Sequence, residues 1–172
     1  MLRTGALALT LAILISPLFA QSEIIDRVLA VVGGEVITQS DVDGALALGL
    51  LPTQAGPGQQ GAALERLIER ALMLTEVRRY APPEPDAATI EQRLQAVRQR
   101  FSSAAALAQA LATHGMDEAR LREFIHNDLR IQAYLDERFS SPEAERRNIM
   151  IADWLAGLRR RADVTRPSSL QR

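Results

Sequence analysis

The chain contains no cysteine, which excludes disulfides, thiolate nucleophiles, cysteine–zinc sites and a lipid-modified cysteine. Lysine is also absent, so all 20 basic residues are arginine. The arginines are spread along the chain and do not cluster. With 21 acidic residues against them, there is no basic excess of the kind that nucleic-acid binding draws on. Aromatics make up only 4% of the 172 residues while 47% are apolar, so the core must be built from Leu, Ala, Val and Ile. That length and composition suit one compact domain.

Catalytic residues are sparse too. The histidines are His114 and His126. The first precedes Gly115, where an imidazolium suits a helix C-terminus, and the second lies mid-helix beside Asn127 and Asp128. Neither has a nucleophile or an orienting partner nearby in the chain. Asp41 and Asp43 are accounted for as first-turn acids, and two carboxylates do not make a metal site. Gly33-Gly34 lacks the downstream glycines of a phosphate loop. The expectation is a protein that is not an enzyme and has no cofactor or metal.

Residues 1–20 carry the pattern of a cleaved secretory signal: Arg3 in a short basic start, an apolar stretch from Ala6 to Ile15, the break Ser16-Pro17, and Ala20 at the cut. Gly5 to Ala20 is 16 residues, short of the roughly 20 that span a bilayer. The expected location is the periplasm, where a cysteine-free chain avoids stray oxidation.

From Val28 to Asp43 the sequence reads as strand, two-glycine turn, strand and helix start. Gly33-Gly34 is suited to a tight hairpin turn that needs positive φ. Two overlapping capping patterns follow, Thr38-x-x-Asp41 and Ser40-x-x-Asp43. A lone hairpin is marginal in water, so a third strand is expected, and the short extended run Ala162–Arg166 is the segment that can supply it. Between these ends lie helical patterns: Ser40 to Leu51, ended by Pro52; Gly61 to Tyr80, whose apolar stripe is wide enough for burial on more than one side; Asp86 to Phe101; one capped by Ser102 and stopped at Gly115; Asp117 to about Phe139; and one starting at Ser140-Ser141-Pro142-Glu143 and running to Arg161. The fold class is mainly α, several helices with a small β-hairpin completed by a C-terminal strand. Residues 21–166 form the single domain and 167–172 a frayed tail.

The stretch Asp26 to Asp43, of the form D-x-V-x-A-V-V-turn-x-V-I-x-x-S-D-V-D, resembles the start of SurA-type periplasmic chaperones. So does the order that follows it: a short helix, a long helix containing Leu64-Glu65-Arg66-Leu67-Ile68-Glu69, a helix pair around Phe101 and Gly115, a long helix with Leu121, Arg122, Ile125 and Leu129, and the ending Trp154 to Val164. The resemblance covers about Ile24 to Arg166. It implies a SurA N-terminal-like chaperone core, an ATP-independent holdase for unfolded outer-membrane or other exported proteins. In that family, parvulin-type prolyl isomerase domains sit between the long helix and the final helix. Here only Ser140-Ser141 separates Phe139 from the last helix start, so isomerase activity is not carried over.

A holdase needs exposed apolar surface. The surplus apolar positions are Leu48, Leu50, Leu51, Met73, Val77, Met116 and Tyr134, with methionine suited to variable clients; Arg78 and Arg79 stand beside them. The competing reading of all seven is core filling. Two other functions stay open, an accessory non-catalytic relative of prolyl isomerases and an envelope interaction module with one dedicated partner. The expected partners are unfolded or extended polypeptides, with no nucleic acid and no stable membrane insertion after signal cleavage.

Overall fold

The computed structural model describes residues 26–167; the signal pattern and the last five residues of the tail lie outside them. Two short strands, β1 (Val28–Val32) and β2 (Glu35–Thr38), form the expected hairpin. Gly33 and Gly34 have φ of +56° and +88°, the left-handed pair that matches the twist of a two-residue hairpin turn. Val32 pairs with Glu35, Val31 with Val36 and Ala30 with Ile37, and a bulge at Leu29 precedes the pairing of Val28 with Thr38. The third strand, β3 (Val164–Thr165), lies antiparallel on the other side of β1, with Val31 opposite Thr165 and Val32 opposite Val164. The strand order is β2-β1-β3. The Gly33 N–H donates to the Asp163 carbonyl at 3.2 Å, tying the turn to the far end of the chain.

Six helices connect these strands: α1 (Gln39–Ala47), α2 (Gln59–Tyr80), α3 (Ala87–Arg98), α4 (Ala104–Thr113), α5 (Glu118–Arg138) and α6 (Ala144–Arg161). Their starts show how local chemistry set the boundaries. Of the two capping patterns, Thr38 and Asp41 form the box: the Thr38 hydroxyl accepts from the Asp41 N–H at 3.2 Å, and the Asp41 carboxylate accepts from the Thr38 N–H at 2.8 Å. Asp86 and Asp117 cap α3 and α5 as expected. The cap of α4 is Ser103, one residue after the expected Ser102.

The first helix stops at Ala47, earlier than the expected Leu51. Gly49 turns left-handed at φ +62°, and the Arg100 guanidinium donates to the carbonyls of Leu48 at 3.0 Å and Gly49 at 2.6 Å. A side chain arriving from α3's far end thus satisfies acceptors that another helical turn would have used. In α6 the Ser-Ser-Pro-Glu segment stays outside the helix, and Glu143 is an N-cap without a side-chain hydrogen bond.

Three apolar clusters hold the elements together. One joins the sheet, α1 and α2 through Ala30, Val32, Ile37, Val42, Ala45, Leu67, Ile68 and Leu72, and takes Leu158 from α6. The second packs Leu48 at the end of α1 among Leu94, Val97, Leu107, Leu111, Leu121 and Ile125 of α3, α4 and α5. The third, at the far end of α2, joins Leu74 and Val77 to Ile131 and Tyr134. The wide stripe of α2 is explained by this arrangement, since the helix takes part in two clusters. Thr75, at helical spacing from the buried Ile68, Ala71 and Leu72, is exposed.

Candidate functional site

The seven residues proposed for peptide binding do not form one surface: Leu48, Leu50 and Met116 share the second cluster, Met73, Val77 and Tyr134 the third, and Leu51 packs on the first. Leu48 and Val77 are 0% exposed and Tyr134 only 5%, so these three are core, and their surplus apolar character is spent on packing. Leu50 is half-buried between the first and second clusters, Leu51 lies against the first and Met73 against the third. Arg78 and Arg79 stand near Glu35 at 3.7 Å and Glu76 at 3.9 Å. Only Met116 lines an open apolar cleft.

That cleft, of about 360 Å³, runs along α4. Ala104, Leu107, Ala108, Leu111, Ala112 and Met116 form its apolar lining, and Arg98, Asp117 and Glu118 stand at its edge. Leu107 and Leu111 are anchored in the second cluster, so the floor is fixed from below. Ala108 and Ala112 are exposed. The rim is held by ion pairs: Arg98 bridges Glu91 of α3 and Glu118 of α5, and Arg122 reaches Glu91 at 2.9 Å. The paired arginines hold the Glu91 carboxyl below its usual range. The sequence did carry a sign of this face. From Ala104 to Thr113 there is no charged residue, whereas a fully solvated helix normally carries charges on its outer side.

A smaller depression of about 100 Å³ lies between the end of α1, α3 and α5, lined by Gly49, Arg93, Arg100, Phe124 and Asp128 among others. Beside it, the Arg70 guanidinium stacks 3.8 Å from the centre of the Phe124 ring and donates to the Phe124 carbonyl at 2.9 Å. Burial pulls the Arg70 pKa down, and the charge of Asp128 opposes that. Burial also pushes the Asp128 carboxyl up, against the pull of Arg70 and Arg93. Each charge therefore steadies the other in a partly desolvated setting.

At the opposite end, an aromatic row runs from the exposed Tyr80 past the third cluster to Phe139. Tyr134 lies 5.7 Å from both Tyr80 and Trp154, ring centre to ring centre, and Trp154 lies 5.3 Å from Phe139. His126 Nε2 is 2.6 Å from a Glu84 carboxylate oxygen, a partner in the proline-rich link that sequence spacing did not reveal. Among the described residues no group of three or more His, Cys, Asp or Glu is placed to hold a metal ion. No described helix is long and apolar enough to cross a membrane.

The chain matches no protein-family model and no curated protein. Fold and surface chemistry therefore carry the functional reading.

Proposed function

We propose that this chain is an ATP-independent periplasmic chaperone that holds unfolded exported polypeptides, outer-membrane proteins among them. The observation that carries the reading is the apolar cleft along the charge-free helix α4, open to solvent and edged by Arg98, Asp117 and Glu118. A cleft of this size takes side chains of an extended segment, while the charged edge keeps the free protein soluble. The resemblance of Asp26–Asp43 and the following helix order to SurA-type chaperones supports the same reading. Val36, 50% exposed on the outer strand β2, adds apolar surface elsewhere on the molecule.

Binding in this scheme is weak and side-chain-led, so several unrelated unfolded clients are accepted. The test is suppression of aggregation of an unfolded β-barrel membrane protein and of two unrelated unfolded proteins. Ala108→Asp and Ala112→Asp place charge in the cleft at exposed positions and leave the floor leucines untouched. Suppression by the parent chain and its loss in the double variant, with an unchanged melting curve, is the expected result. Equal suppression by parent and variant moves the site elsewhere. Failure to suppress any client, together with capture of one specific protein, favours the dedicated interaction module. In a proline isomerisation assay the expected rate is that of the uncatalysed reaction.

A further inference from the structure

The exposed side of α6 carries an apolar strip with opposite charges at its two ends. Glu145, Ile149, Ala152, Ala156 and Arg160 follow one another at spacings of four, three, four and four, which puts them on one face. Ile149 is 55% exposed, and Ala152 and Ala156 are exposed beside it. The opposite side of the helix is the one that packs on the body, through Leu158 and Trp154. Next to the strip, toward α2, lies an open trough of about 540 Å³ lined by Ile151, Ala152, Leu155 and Ala156 with Arg66 and Arg159 at its edge.

The charges decide what fits there. Arg147 is paired with Asp136, and Arg159 with Glu65 and Glu69. Glu145 and Arg160 have no ion pair among the described residues. They stand about 22 Å apart along the helix at 1.5 Å per residue, too far to meet each other. From these observations we infer that α6 is the contact face of a homodimer in which two copies cross antiparallel, with the two-fold axis near Ala152. This arrangement sets Glu145 of each copy against Arg160 of the other and lays Ile149 over the partner's Ala156. The alanines let the helix backbones approach closely, and the antiparallel helix dipoles align favourably. The trough adds apolar area on the α2 side. The same patch meets itself, so no second surface is required. The inference does not depend on the chaperone reading, because its measurement is assembly state alone.

The test is sedimentation velocity of the purified chain over a concentration series. A dimer that dissociates on dilution is expected. Ala152→Glu places like charges at the axis and should weaken it by roughly a hundredfold or more. Glu145→Arg and Arg160→Glu should each weaken it by roughly tenfold, and the double reversal should restore the parent affinity, since the pair is re-formed with its signs exchanged. Thermal melts of each variant at concentrations where the parent is a monomer check that the fold is intact. A parent chain that is monomeric throughout, a dimer indifferent to Ala152→Glu, or a double reversal no better than the single changes would each overturn the inference.

Discussion

Helices α2 and α6 are similar in length and both carry apolar residues at helical spacing, yet their burial differs sharply. In α2, the residues Ala63, Leu67, Ile68, Ala71, Leu72, Leu74 and Val77 are buried. In α6 only Gly157 and Leu158 are. The cause is the number of neighbours. The longer α2 packs against β1, β2, α1, α5 and α6, so two of its sides are covered, whereas α6 lies on the outside with α2 as its main support. An apolar stripe fixes which face turns inward; how much of it is covered depends on how many elements arrive there.

The largest expected effect comes from opening α2. Ile68 and Leu74 are each only 1% exposed, and truncating either to Ala should cost about 2–5 kcal/mol, seen as a lower midpoint in denaturant unfolding. Ile149→Ala on α6, measured under monomeric conditions, should stay within about 0.5 kcal/mol. If the two helices responded alike, the contrast between them would be lost.

Next in size is the closure that follows α6. Ending the chain at Arg161 removes β3 and the Asp163 carbonyl that accepts from Gly33. With two residue pairings and the packing of Val164 lost, roughly 2 kcal/mol should go, along with the cooperativity of the melt at the C-terminal end. Hydrogen exchange should then quicken in β1 and α6 before α2.

A cap comes third. Thr38→Ala leaves the Asp41 N–H without its acceptor and should cost about 1 kcal/mol, felt by α1 and through it by α2.

The smallest effect is a pH dependence at the same corner. Burial raises the Asp26 pKa, but the neighbouring polar groups of Thr38 and Ser40 outweigh it and leave the carboxyl below the usual 3.8; the Ser40 N–H donates at 3.1 Å. A depressed carboxyl adds stability that is present above the unfolded value and disappears as pH falls through the folded one. Asp26→Asn should therefore flatten the stability curve below about pH 4 and change it little at pH 7, as read from thermal melts across that range.

Much of the fold was legible in the chain itself. Gly33-Gly34 demanded a turn with positive φ, two overlapping capping patterns marked the first helix start, of which Thr38 and Asp41 form the box, and the uncovered hairpin called for a strand near Ala162–Arg166, which β3 supplies. These are short-range constraints of dihedral, cap and hydrogen bond, and they act wherever the segment ends up. The site was much less legible. Leu48, Val77 and Tyr134 have the same apolar character as surface anchors, but neighbours from distant parts of the chain cover them. The alanines of α4 do not by themselves mark which face stays open, because alanine suits a core and a surface equally well.

By itself, then, the sequence determined the order of helices and strands, which face of each is apolar, and that the two chain ends must meet. Only the tertiary structure decided which apolar faces remained open. Burial is shared among elements far apart in the chain, and the cleft along α4 and the strip on α6 are what that sharing left uncovered. The early stop of α1 was decided in the same way, by Arg100 reaching back across 52 residues to the Leu48 carbonyl.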